Sequence, residues 1–271
     1  MNRIVSFLII VLFCTAISSC KKEENKVPEP VDNGFLINFV LRGTDPIKEF
    51  TYTSDSLVYE LIEPNSYRKY IYNANRQLER IDQAFSFNPF SCAMAGGSFR
   101  EGDNPRKASI TQYFTFDYSN GKISKRSAVY NINNLPTLIF YQLFEYENDK
   151  VSRIGYYNPD GKLMNFEKYT INDHGNLTRT EHYMINNNNT VLLSAIEYDY
   201  DAKFNPYKVF ACEGIPGINT NTNNIIKKTF ISYSQGTETR SSNETLYEYN
   251  TYSYPSSSDG LSFKYINPIT K

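Results

Sequence analysis

The side chains that most often carry chemistry are scarce in this sequence. The 271-residue chain has two histidines and four cysteines. His174 sits in Asp173-His174-Gly175-Asn176, a run of turn-forming residues, and His182 follows Glu181 in a stretch with strand character. There is no H-E-x-x-H helix, C-x-x-C pair, G-x-S-x-G elbow, P-loop or EF-hand loop. No metal, cofactor or catalytic residue is therefore assigned. Carboxylates are numerous enough for an acid/base pair of the glycosidase kind. The prominent ones, Asp117, Asp160, Asp173, Asp199 and Asp201, fall where turn or repeat chemistry accounts for them. An enzyme is not expected, and a hydrolase is the weakest of the alternatives. The richer resource is aromatic, with 23 tyrosines and 18 phenylalanines. Tyrosine rings along a curved sheet can stack on sugars or hold peptide while their hydroxyls donate. The competing reading makes them core residues and cross-strand pairs.

Covalent chemistry is signalled at the N terminus. Arg3 precedes Ile4 to Phe13, apolar except for Ser6 and too short to span a bilayer as a helix. The stretch ends in Ile17-Ser18-Ser19-Cys20, which resembles the lipobox of bacterial lipoprotein precursors. The resemblance implies cleavage before Cys20 and a diacylglyceryl group on its sulfur. Ordinary secretion with cleavage after Ala16-Ile17-Ser18 is the competing reading. Two or three acyl chains anchor lastingly where one alone anchors marginally. Cys20-Lys21-Lys22-Glu23-Glu24 resembles the export signal of Bacteroides-group lipoproteins sent to the outer surface, so the expected location is the outer membrane, facing outward. A periplasm-facing protein is the alternative. Asp55-Ser56-Leu57 resembles the O-glycosylation site of the same bacteria, with Ser56 as acceptor.

With Cys14 discarded and Cys20 lipidated, Cys92 and Cys212 are the remaining thiols and the candidate disulfide. They stand 120 positions apart, so pairing requires distant strands or loops to meet. Charge offers no further partner. The chain has 28 basic and 29 acidic residues, and cleavage before Cys20 removes only Arg3. A weakly acidic product is not expected to bind nucleic acid.

Strands must position all of this. Val27 to Asn33, with Pro28 and Pro30, reads as a stiff tether. From Gly34 the sequence alternates aromatic and β-branched runs with Asn, Asp and Gly. In Gln112 to Tyr118, Phe114, Phe116 and Tyr118 share one face, and Asn120-Gly121 then marks a hairpin. Asn158-Pro159-Asp160-Gly161 is a turn of the same kind. In Thr137 to Glu147, Ile139, Tyr141 and Leu143 face one way and Phe140, Phe144 and Tyr146 the other. Neither face is fully polar, as suits a sheet curled around one core.

The units repeat. An aromatic-x-aromatic strand end, a turn and a return strand recur at Tyr70-x-Tyr72, Phe116-x-Tyr118, Phe144-x-Tyr146, Tyr169-x-Ile171, Tyr198-x-Tyr200 and Tyr247-x-Tyr249. Steps of 25 to 29 residues, and two nearly double, indicate stacked copies of one unit. The double intervals hold Ser91 to Gly97 and Cys212 to Gly217 with Asn219 to Asn224, read as long loops. This Y-x-Y-D/N pattern resembles the YD (Rhs-type) repeat. The layout as a whole is similar to Bacteroides-group lipoproteins with a domain of unknown function, a likeness that implies a porin-like or open-barrel meander.

The expectation is thus a signal peptide over residues 1–19, a lipidated tether over 20–33, and one all-β domain over 34–271. The domain is an antiparallel meander of hairpins in a strongly curled sheet or partly open barrel. Its expected role is binding to glycan, peptide or envelope protein. A structural envelope component without a small ligand is the alternative.

Overall fold

The computed structural model describes residues 32, 34–85, 104–133, 135–187, 189–234 and 237–268. Cys20, the tether's charged start and Cys92 lie outside the described residues. Among the described residues, seventeen strands form one sheet. They are β1 (Leu36–Arg42), β2 (Asp45–Tyr52), β3 (Val58–Glu63), β4 (Ser66–Tyr72), β5 (Leu78–Phe85), β6 (Gln112–Ser119), β7 (Lys122–Ile132), β8 (Leu135–Glu147) and β9 (Lys150–Tyr157). They continue as β10 (Leu163–Ile171), β11 (Leu177–Asn186), β12 (Asn189–Phe204), β13 (Asn223–Ser234), β14 (Thr237–Glu244), β15 (Tyr247–Tyr249), β16 (Pro255–Ser258) and β17 (Leu261–Ile266). Every pairing is antiparallel, and the ladder runs from β15 through β16, β17 and β1, then on in chain order to β14. No ladder joins β14 to β15 among the described residues, so the sheet is curled but not closed. Its two ends still approach each other. The Tyr249 hydroxyl donates to Asp201 of β12, and Tyr247 shares a cavity wall with Asn224 and Ile225 of β13.

The repeat has a physical meaning that explains the curl. The ladder slips by one residue at the second aromatic position of seven units, at Tyr52, Tyr72, Tyr118, Tyr146, Ile171, Tyr200 and Tyr249. A bulge placed repeatedly at the same end bends each strand the same way. It also turns the second aromatic along the sheet. Its hydroxyl then reaches a carbonyl at the start of the strand before: Tyr72 to Val58 at 2.8 Å, Tyr118 to Leu78 at 2.9 Å and Tyr146 to Ile123 at 2.9 Å. Tyr52 and Tyr200 do the same to Ile37 and Leu177, each at 2.5 Å. The first aromatics, Tyr70, Phe116, Phe144 and Tyr169, point into the core.

Five connectors share one geometry, at residues 53–57, 73–77, 158–162, 172–176 and 250–254. The first residue's N–H donates to the fifth carbonyl, and the fourth N–H donates to the first carbonyl. A Thr or Asn side chain at the first place accepts the fifth N–H, with distances of 2.7 to 3.1 Å. The fourth residue is left-handed in each, and Gly supplies it only at 161 and 175; Ser56, Arg76 and Ser253 adopt it elsewhere. The Asn120-Gly121 hairpin forms as expected, with φ of 50° and 78°.

The concave face is filled by one connection. Residues 205–222 between β12 and β13, which include the expected long loop from Cys212, turn into the curl. Pro206–Glu213 forms a 3-10 segment capped by Asn205, whose side chain accepts from the Tyr207 N–H. Phe210 packs on Phe50 and Tyr70, with ring centroids 5.6 and 5.8 Å away. Gly214, at φ +72°, lies against Ile123 and Phe144, where a Cβ would come within 2.6 Å of Ile123. This plug thus touches β2 and β4 on one side and β7 and β8 on another. Its apolar atoms supply what a second sheet supplies in a sandwich.

Candidate functional site

The inward face is not apolar throughout. Toward the ends of the strands away from the plug's entry, polar and charged side chains replace the core residues. Arg68 shares the inward face of β4 with Tyr70 and Tyr72. The buried Gln83 and Gln112 meet at 2.5 Å. On β7, Arg126 lies 3.9 Å over the Phe114 ring and donates to Gln142 at 3.2 Å. Further along, Tyr156 donates to Glu167 at 3.3 Å, and His182 stands 3.6 Å from the same carboxylate. Such a belt costs free energy unless its members satisfy one another.

Most members are satisfied, and two are not. The Nε atoms of Arg68 and Arg126 are buried without a hydrogen-bond partner. Both feel the charge of Glu213 of the plug, which is buried and accepts from Tyr70 at 2.9 Å. Burial works to lower the Arg68 pKa, but Tyr70, Glu213 and Glu63 hold it above its ordinary value. Arg126 is pushed below its ordinary value by burial, Glu213 pulls the other way, and the neighbouring charge of Arg68 adds to the lowering. Guanidiniums stay charged regardless, so positive charge is concentrated here.

A cavity of about 220 Å³ lies between the plug and β2 to β4, beside these groups. Phe50, Leu61 and Phe210 form its apolar wall, and Lys48, Glu63, Arg68 and Glu213 its charged one. Ile218 is the exposed lining residue, at 44%. Lys48 pairs with Glu63 at 2.9 Å. Burial raises the Glu63 pKa, yet Lys48, Arg68 and Ser66 together hold it below its usual value. A carboxylate so held is ionised at neutral pH and unsuited to giving up a proton. A larger hollow of about 410 Å³ lies along β12 to β14, lined by Ser194, Phe230, Ser232 and Thr239. Its one charged lining residue, Arg240, already bridges Glu197 and Glu238. The smaller cavity is therefore the better candidate.

The residues singled out from sequence fall elsewhere. His174 is exposed in its turn, and Ser56 is half-buried at the left-handed position of another. Cys212 is a free thiol in the plug, 3.7 Å from the Tyr72 hydroxyl and pushed up to about 11 by burial. Its expected disulfide partner, Cys92, lies outside the described residues. The hydroxyls of Tyr52, Tyr72, Tyr118, Tyr146 and Tyr200 are committed to carbonyls. Among the described residues, no three His, Cys, Asp or Glu side chains gather as metal donors. Lys48, Arg68, Arg126 and Glu213 escaped the sequence reading. Only Arg68 carried a signal there, since it shares alternation with Tyr70 and Tyr72 and so must face the core.

No protein-family model matches the sequence, and no curated protein does. Solved structures are similar in fold. A porin-like protein from Bacteroides vulgatus ATCC 8482 is 12% identical, with a TM-score of 0.51 covering 86% of this chain and 99% of that one. A porin-like protein from Bacteroides uniformis ATCC 8492 is 12% identical, with a TM-score of 0.40 covering 81% and 95%. A protein of unknown function from Bacteroides fragilis NCTC 9343 is 10% identical, with a TM-score of 0.37 covering 49% and 91%. The first likeness shows a shared all-β fold, and at that identity it shows the fold alone.

Proposed function

We propose that this chain is a lipid-anchored envelope protein of the YD-repeat kind whose curled sheet acts as a binding module. Lipid on Cys20 holds it in the outer membrane, and Lys21 to Glu24 direct it to the cell surface. Its ligand sits on the inward face, beside the plug. One observation carries the binding role: positive charge without carboxylate contact is buried beside a cavity, at Arg68 and Arg126. A purely structural interior gains little from buried guanidiniums without an anion in contact, because apolar residues of similar volume hold a fold at least as well.

Binding of the full-length protein in detergent to glycan and peptide arrays tests the module. At least one ligand class should bind, and bound ligand should protect Cys212 further from alkylation. Absence of any ligand, together with unchanged stability on replacing Arg68, would leave a structural envelope component as the better reading. The anchor is tested separately. Cys20→Ala should abolish acyl labelling, and replacing Lys21 to Glu24 by Ala should shield the protein from protease added to whole cells.

A further inference from the structure

The charges that line the cavity balance, and a further positive charge stands behind them. Lys48, Arg68 and Glu63 and Glu213 line it, and Arg126 stands close enough to feel both Arg68 and Glu213. Counted with Arg126, the neighbourhood holds three cations and two carboxylates. Lys48 is matched by Glu63 at 2.9 Å. Glu63 is shared between Lys48 and Arg68, and Glu213 acts on both guanidiniums while it spends a hydrogen bond on Tyr70 instead of either. One positive charge remains without an anion in contact. In so dry a place that charge is costly, and an anion able to take guanidinium N–H groups recovers part of the cost.

The size and sign of the anion follow. A surplus of one charge suits a monoanion. A phosphate dianion would add more negative charge beside Glu63 and Glu213 than the two arginines can offset. A planar carboxylate matches the guanidinium fork, accepting two parallel N–H bonds. The body that bears it must be small, because about 220 Å³ falls below the range of pockets for drug-sized ligands. Its uncharged part meets Phe50, Leu61 and Phe210, so one face of that body is apolar. One sugar ring or one amino-acid residue meets these limits.

We propose that the cavity between the plug and β2 to β4 is a carboxylate site. In it Arg68 grips the carboxylate of a ring-sized or residue-sized ligand, Lys48 guides it at the rim, and Arg126 adds positive field from behind. The proposal rests on the binding-module reading and specifies its ligand class. Arg68 is the contact residue. Arg126 is a positioning residue that acts through the field and through Gln142.

Calorimetric titration of the full-length protein in detergent tests this, using glucuronate and N-acetylalanine as probes. Glucose, N-acetylalanine amide and inorganic phosphate are the counterparts. Either carboxylate should bind while its neutral partner does not, and which of the two binds identifies the carrier. Arg68→Gln should weaken binding by roughly ten- to a hundred-fold, the loss of a charge-assisted hydrogen bond. Arg126→Met should weaken it several-fold while the melting temperature holds or rises, since an unpaired buried charge is gone. Should Arg68→Gln fail to fold, Lys48→Gln at the rim should raise Kd several-fold and steepen nothing in the salt dependence. Neutral partners binding as well as the acids would overturn the carboxylate site, as would phosphate binding more tightly or no probe binding at all. Array ligands that bind Arg68→Gln undiminished would overturn this site yet leave the binding module standing. A marked loss of stability in Arg126→Met would overturn the role given to Arg126.

Discussion

At the scale of single residues, the recurring tyrosine is the part whose purpose the structure makes plain. Its hydroxyl answers a carbonyl exposed by the bulge next to it, which an apolar ring of the same shape leaves unmet. Removing such a hydroxyl costs the net worth of one partly buried hydrogen bond, about 1 kcal/mol. Tyr118→Phe should therefore lower the unfolding free energy by about that amount in urea titration. Tyr113→Phe is the control, because that ring lies under Arg80 at 3.7 Å and its loss of a hydroxyl should change stability by less than about 0.5 kcal/mol. Equal effects would mean that the carbonyl contact contributes nothing. Ile171 stands in the same slot without a hydroxyl, and there Lys150 donates to the carbonyl of Asn172 at 2.9 Å. A charged side chain from the neighbouring strand thus caps the turn where the repeat has lost its tyrosine.

At the scale of elements, the plug decides whether the curled sheet has a core at all. It is held at both ends by one side chain. Asn205 is buried, accepts the Tyr207 N–H at 3.0 Å, and donates to the carbonyls of Ile218 at 2.5 Å and Asn221 at 2.9 Å. Asn221 in turn accepts the Leu177 N–H of β11 at 2.8 Å, which ties the plug to the wall. Asn205→Ala leaves one buried and two part-buried backbone groups without their partner and should cost about 2 kcal/mol. The loosened plug should also expose Cys212, so alkylation of that thiol under native conditions should speed up at least tenfold. Unchanged alkylation with a small loss of stability would mean that packing of Phe210 alone secures the plug. The free edge is managed differently. All eight residues of β14 are exposed, and Glu238, Arg240 and Glu244 place charge along it. Charge on an edge strand opposes pairing with another chain.

For the domain as a whole, the number of buried phenols sets its response to pH. Burial is the leading cause at each, and it pushes Tyr118, Tyr156 and Tyr247 up to about 12 and Tyr52, Tyr72 and Tyr200 higher still. A free tyrosine ionises near 10. The folded state therefore favours the protonated phenol. The stability this gives is complete below pH 10 and is lost as pH rises from there through the folded values. Cys212 contributes in the same direction from about pH 9 to 11. Phenolate absorbance should accordingly appear in one cooperative step together with loss of the β signal, well above pH 10. Gradual ionisation starting at pH 10, with the β signal intact, would show that the tyrosines are not held as described.

Local chemistry was legible without a structure. Strand alternation, the Asn-Gly hairpin and the spacing of the aromatic pairs each depend on residues within a few positions, so Phe114, Phe116 and Tyr118 could be placed on one face from sequence. Arg68 could be placed inward by the same alternation. Arg126 could not, because a bulge after Ile123 shifts its register, and sequence does not mark where a ladder slips. The plug was legible only as a long loop, because composition does not tell whether a loop's polar groups meet water or one another. Tertiary structure alone decided that Asn205 and Asn221 satisfy that segment from within, and that Glu213 reaches Tyr70 across 143 positions. It also brought Arg68, Arg126 and Glu213 into one electrostatic neighbourhood. Charges so far apart in the chain act on each other only once bulge after bulge has curled the sheet around the plug.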